Sequence, residues 1–346
     1  MTSSRSNPRD AAAGTTIVCF GEALIDFLAE PVSESATEPG RARSFRQFAG
    51  GAPANAAVAA ARLGGRCEFV GMLGQDMFGD FLLESLRDAG AGIGYVRRTA
   101  RAKTALAFVS LDARGERSFS FYRPPAADLL FAESDFDAGC FAQAGVFHVC
   151  SNSLTENAIA ATTLAGMRRA REAGALVSID LNLRPALWPE DKPSLPVLWR
   201  ALEAADLVKL AREELVFLQD GRHGEDEIVA RLLRHARLVL VTDGAAPIGW
   251  HARARTGSLA TLPVQAVDTT AAGDAFIGGL LVQLQRAGVD ARGFDAFLGN
   301  GPQFERALRY ASACGALAVT RYGSFAALPT HDEAMALLAR VAPAVA

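Results

Sequence analysis

Lysine is almost missing from this chain: of its 35 basic residues only Lys103, Lys192 and Lys209 are lysines, which reads first as coding bias. Other shortages exclude more. The five cysteines, Cys19, Cys67, Cys140, Cys150 and Cys314, are odd in number, far apart and set in apolar segments. They exclude a disulfide framework and fit buried free thiols in a reducing, cytoplasmic compartment. No apolar run approaches a membrane span, and the first residues lack the apolar stretch of a secretory signal. The formal net charge is only -3, and basic residues are scattered without interleaved aromatics, so nucleic acid is not an expected partner. There is no Walker-type phosphate loop and no His-Glu-x-x-His pair, which removes P-loop kinases and zinc hydrolases. What remains is 346 residues, 50% of them hydrophobic, enough to bury a large core as one α/β domain with a small appendage.

The most informative stretch is Val267-Asp268-Thr269-Thr270-Ala271-Ala272-Gly273-Asp274-Ala275-Phe276, followed by an apolar run at helical spacing. Small residues at a helix start leave the amides of Ala271, Ala272 and Gly273 without intrahelical partners, at the positive end of the helix dipole. That combination suits a phosphate or a phosphoryl group in transfer. Asp274 then faces whatever receives the anion, although an Asp in a first turn also serves simply as a dipole partner. A second stretch, Gly50-Gly51-Ala52-Pro53-Ala54-Asn55, permits close backbone approach and starts another helix with Pro in its first turn. Asn55 projects from that start as a donor and acceptor at once, as vicinal hydroxyls require, or as a cap.

Residues 15 to 21 read as a buried strand, and Asp26 lies just beyond its carboxyl end, where open parallel sheets collect ligands. Residues 1 to 14 read as a disordered tail before a single domain, 15 to 346. Residues 44 to 48, 103 to 111 and 117 to 122 alternate with period two, and Asp112-Ala113-Arg114-Gly115 reads as a hairpin turn. These strands are expected to form a small antiparallel sheet outside the main domain, drawn from about 26 to 49 and 93 to 123. Residues 66 to 73 read as a strand and 76 to 89 as a helix capped by Asp76. Gly90-Ala91-Gly92-Ile93-Gly94 follows that helix and reads as its stop. From residue 146, strands (146–150, 176–181, 207–210, 238–242) alternate with helices (156–173, 198–205, 226–235), which predicts βαβ units and a three-layer α/β/α fold around a mostly parallel sheet. Asp180 and Asn182 share one side of the chain at a strand end, where Asp180 also suits a plain turn. Residues 310 to 320 read as a helix of small residues.

Both glycine-rich blocks, in this order and at this separation, resemble the two signatures of the ribokinase-like (PfkB-type) carbohydrate kinases, over about residues 17 to 330. The wording Phe-Gly-Glu-Ala-Leu-Ile-Asp around Asp26 resembles the fructokinase branch. The resemblance implies an ATP-dependent sugar kinase, most simply D-fructose to fructose 6-phosphate, with the small sheet as a lid over the sugar. It implies Asp274 as general base, the Ala271 to Gly273 amides as phosphoryl cradle, and Asp26, Gly50, Gly51, Asn55 and Arg123 as sugar contacts. Asn182, Lys209, Thr242, Gly244 and Ser312 fall on the ATP side. Glu214 matches the acid that organises water around Mg²⁺, with Ala211 replacing the family's Asn. The carbonyls of Asp268, Thr270, Ala318, Arg321 and Gly323 match a monovalent-cation (K⁺) site. Ala271 stands where the family has Gly, and an Ala there is expected to require a negative φ. A dimer through the lid, using Phe45, Phe119 and Phe121, is a further expectation. Competing substrates are 2-keto-3-deoxygluconate, ribose and nucleosides. Competing classes are a nicotinamide dehydrogenase, which would need a glycine fingerprint absent after the first strand, and a catalytically silent sugar-binding regulator.

Overall fold

The computed structural model describes residues 16–29, 44–111 and 117–341; the tail and the turn 112–115 lie outside them. Thirteen strands are present among these residues: β1 (Thr16–Phe20), β2 (Leu24–Ala29), β3 (Phe45–Gly50), β4 (Cys67–Gly74), β5 (Gly92–Thr99), β6 (Leu106–Leu111), β7 (Arg117–Tyr122), β8 (Ala144–Cys150), β9 (Leu176–Asp180), β10 (Leu207–Ala211), β11 (Leu238–Thr242), β12 (Ile248–Ala252) and β13 (Arg255–Leu259). Nine of them form one sheet in the order β13-β12-β11-β10-β9-β8-β1-β4-β5. It is parallel except at the β11-β12-β13 edge. That antiparallel hairpin carries no βαβ rhythm, and sequence reading passed over it.

Alternation along each strand feeds two cores. Ile17 and Cys19 of β1 enter the core beneath the helices Ala52–Arg62, Ala272–Arg286 and Gly301–Ala318. Val18 and Phe20 enter the opposite one, beneath Asn157–Glu172 and Leu195–Leu202. The result is the expected three-layer α/β/α arrangement. The helix read as residues 310 to 320 begins much earlier, at Gly301, with Asn300 as its cap. Asp76 caps its helix as expected, accepting from the Gly79 amide at 2.8 Å.

The smaller sheet runs β3-β2-β6-β7. Its outer pairings are antiparallel and its central one, β2 with β6, is parallel. The expected lid range 93–123 needs one correction: β5 is the edge strand of the large sheet, parallel to β4. Its polar residues hid this. The Arg97 guanidinium donates to the Asp135 carbonyl and that of Arg98 to the Gly74 carbonyl, so both arginines brace loops rather than mark a solvent-facing strand.

Strand order reverses around β1, whose neighbours are β4 and β8. At such a switch point the connections leave in opposite directions and open a crevice at the carboxyl ends of the strands. The small sheet covers this crevice.

Candidate active site

A cavity of about 400 Å³ occupies the crevice. Its wall takes Glu22 from after β1, Asn152 from after β8, Asp180 from the end of β9, Lys209 and Ala211 from β10 and Thr242 from the end of β11. The lid contributes Leu24, Asp26 and Phe121, and the helix starts contribute Gly51, Asn55 and the run from Thr269 to Asp274.

Asp274 sits in the first turn of Ala272–Arg286 and is 7% exposed. Ala275 closes the first helical bond to Ala271 at 2.8 Å, and Ala272 makes only a 3.4 Å contact with the Thr269 carbonyl. Among the described residues no protein acceptor meets the amides of Ala271 or Gly273. Free donors at a dipole's positive end therefore face the cavity. Ala271 itself has φ 59°, so the condition under which an Ala is unstrained is not met: the residue stands in the left-handed region, where a Cβ is strained.

The two signature helices pack closely enough to join their polar residues. A Cβ on Gly278 would lie 2.6 Å from that of Ala59, so only Gly permits this approach. Consequently Asn55 Nδ2 donates to Asp274 Oδ2 at 2.8 Å, and Asn182 Nδ2 reaches Oδ1 at 3.3 Å. Asn55 and Asn182 are expected to meet sugar and phosphate; here their amide nitrogens hold the Asp274 carboxyl. Burial, then the charge of Asp180, pushes the Asp274 carboxyl up to about 7, against the pull of Asn55, Lys209 and Arg184.

Asp180 is an ion-pair partner, not a turn residue: Lys209 Nζ lies 3.0 and 2.8 Å from its oxygens. Burial works against the Lys209 charge, yet Asp180 and then Glu214 hold its pKa above the ordinary value. Glu214 is also differently employed. Its oxygens accept the Leu183 amide at 2.6 Å and the Ala211 amide at 2.7 Å, so it ties together the segments leaving β9 and β10. Exposed Glu213 stands beside it on the cavity wall.

Arg123 requires the clearest correction. It is 1% exposed, does not line the cavity, and grips Asp128 through Nε at 2.8 Å and a second nitrogen at 2.5 Å, with a further bond to Thr155. Among the described residues, the arginine lining the cavity is Arg184. On the lid, Asp26 accepts from the Ser324 hydroxyl at 2.7 Å and lies over Gly50, where a Cβ would collide with it. Gly51 caps its helix at φ 103°. Gly244 lies in an exposed turn and Ser312 is buried in its helix, and neither lines the cavity.

The two loops of the expected cation site do meet. Asp268 accepts the Thr270 amide at 2.7 Å and the Gly323 amide at 3.0 Å, which sets both loops side by side, while the Ala318 carbonyl receives the Arg321 amide at 3.4 Å. Among the described residues no three His, Cys, Asp or Glu side chains converge as a metal cage. Glu22 and Asn152 escaped sequence reading, because nothing periodic marks them.

An anion-receptive helix start, a buried carboxyl in its first turn and a sheet over both are the features of a phosphotransferase acting on a small molecule. The chain belongs to the pfkB family of carbohydrate kinases, whose model matches residues 15–331. It is similar to fructokinase-1 of Oryza sativa subsp. japonica, 41% identical over 329 residues that cover 95% of this chain and 99% of that one. A fructokinase from Xylella fastidiosa with bound ATP is 50% identical, covering 94% of this chain and 98% of that chain, with a TM-score of 0.89. A fructokinase double mutant from Vibrio cholerae O395, bound to fructose, ADP and potassium, is 32% identical, covering 94% and 99%, with a TM-score of 0.81.

Proposed function

We propose that this protein is an ATP-dependent fructokinase that phosphorylates the 6-hydroxyl of D-fructose. The observation that carries this is Asp274, pushed up to about 7 beside the unpartnered amides of Ala271 and Gly273. The sugar hydroxyl loses its proton to Asp274 as its oxygen bonds to the γ-phosphorus, and the bond to the bridging oxygen breaks to release ADP. Such a transition state is loose, so positioning and charge stabilisation dominate and a base of this strength suffices. The free amides and Arg184 receive the moving phosphoryl charge. Asp26, Gly51 and Asn55 orient the sugar, a reading supported by their place on the cavity wall. Thr242 and Ala211 lie on the nucleotide side. Glu213 and Glu214, both on the cavity wall, would hold the hydrated Mg²⁺ of ATP, Glu214 with its oxygens already accepting two amides, and the ion when bound would neutralise phosphate charge. The paired loops at Asp268 and Gly323 offer carbonyls for K⁺, the ion in the Vibrio protein.

The neutral ketohexose is favoured over 2-keto-3-deoxygluconate by the wall itself. Among the described residues, the lining acids Glu22, Asp180, Glu213, Glu214 and Asp274 outnumber the lining cations Lys209 and Arg184, and Lys209 is already paired. An added substrate carboxylate would be repelled. An ADP-release assay across fructose, ribose, 2-keto-3-deoxygluconate and nucleosides tests the reading, with the phosphorylated position taken from product NMR. Turnover on a nucleoside in preference to fructose would overturn it.

Closure of the lid, with Phe121 facing the cavity, would keep water from the phosphoryl group. The opposite lid face carries Phe45, 40% exposed, and Tyr122, 68% exposed, both edge-on to Phe108. That face, and not Phe121, is the surface for pairing with a second copy; a monomer by light scattering at working concentration would exclude the dimer. Five buried free thiols support a reducing, cytoplasmic location. No helix among the described residues is long and apolar enough to cross a membrane.

A further inference from the structure

Two amide oxygens at the cavity, Asn55 Oδ1 and Asn152 Oδ1, are buried without a hydrogen-bond partner among the described residues. Buried acceptors of this kind are uncommon and call for an explanation. Their orientation is fixed by what their nitrogens do. Asn55 Nδ2 is spent on Asp274 and Asn152 Nδ2 donates to Glu22 Oε1 at 2.9 Å. The same Oε1 accepts the Ala52 amide at 3.1 Å. It must therefore act as an acceptor whatever the protonation of Glu22, and a flipped Asn152 would set oxygen against oxygen. Burial raises the Glu22 carboxyl, which changes nothing in this assignment, because a proton would reside on Oε2.

We propose that Asn152 is a specificity-determining residue whose Oδ1 accepts a hydrogen bond from one sugar hydroxyl, with Glu22 as the positioning residue that keeps it turned that way. The attacking hydroxyl belongs to Asp274, so the hydroxyl read by Asn152 is a different one. Asn152 follows β8 while Asp274 comes from a separate helix, and the two hold the substrate from different walls. The wall is thus rich in acceptors and selects a ligand rich in hydroxyl donors. The inference rests on the sugar-kinase reading and deepens it to a hydroxyl-by-hydroxyl requirement.

The test uses D-fructose and its monodeoxy analogues, each lacking one hydroxyl, with parent, Asn152→Ala and Asn152→Leu. The parent should disfavour at least one analogue, other than that lacking the phosphorylated hydroxyl, by roughly tenfold in kcat/KM. In both variants kcat/KM for fructose should fall by roughly the same factor, mainly through KM, and that one analogue should then be used as well as fructose. The KM for ATP should stay within about twofold, which a general loss of structure would not spare. A parent indifferent to every deoxy substitution overturns the inference without any variant. Variants that fold but keep the parent's pattern of discrimination also overturn it. A parent inactive on fructose sinks the fructose reading itself and the inference with it, so the two failures are told apart.

Discussion

Two buried carboxylates share one wall of the cavity and are treated in opposite ways. Asp180 is neutralised by Lys209 at 2.8 Å, whereas among the described residues the hydrogen bonds to Asp274 come from the neutral amides of Asn55 and Asn182. A third acid, Asp128, repeats the first solution with Arg123 behind the wall. The difference separates structure from chemistry: a carboxylate with a full counterion is a poor proton acceptor, and one steadied by amides keeps its basicity. Asp180 even assists, because its charge is the second cause of the raised Asp274 carboxyl.

The comparison breaks most completely at Asp274. Asp274→Asn keeps the side-chain shape but removes the proposed base and leaves one acceptor for the two amide donors of Asn55 and Asn182, and kcat should fall by roughly two to four orders of magnitude while fructose still binds by calorimetry. In the parent, kcat/KM should rise with pH through about 7, since the base must be deprotonated. The stability effect has the opposite sign. The folded chain holds this proton more tightly than the unfolded chain, so stability is lost as pH rises through about 7. The Tm difference between Asp274→Asn and the parent should therefore move in the variant's favour as pH rises through about 7, which calorimetric melting on either side of that pH would check.

Asp180→Asn sharpens the contrast from the other side. It leaves the Lys209 ammonium buried without its partner, at a cost of about 3–5 kcal/mol in chemical denaturation. It should also move the pH–rate profile to lower pH, because both the lost negative and the exposed positive charge favour ionised Asp274. Arg123→Met should cost a similar amount, about 3–5 kcal/mol, by stranding Asp128. Where the variant folds, its KM for sugar should stay near that of the parent, as expected of a residue 1% exposed that does not line the cavity. The smallest effect is expected at Ala271. Replacement by Gly relieves a Cβ at φ 59° and should stabilise the chain by about 1 kcal/mol in urea unfolding, with little change in kcat.

Sequence reading reached the fold and singled out Asp274 because both are written locally, in the alternation of strands and helices and in a run of small residues at a helix start. It missed what depends on distant partners. Asn55 and Asp274 are 219 positions apart, and Asn152 and Glu22 are 130 apart. No period or cap links such pairs; the sheet order does. Arg123 was misplaced for the same reason: whether an Arg beside the lid turns to the sugar or to Asp128 is decided by burial, which composition does not reveal. At Ala271 the motif was legible and the backbone conformation was not, since the left-handed region is imposed by the loop pinned through Asp268.

Glu214 holds the backbone on either side of a gap between neighbouring strands, at Leu183 and Ala211. Asn182, one residue before Leu183 and itself at φ 40°, is stationed by that fastening. Loss of the fastening would loosen Asn182 and with it one of the two hands on the catalytic acid. A damaged variant at position 214 would then resemble a magnesium defect in turnover alone, and added magnesium would not rescue it.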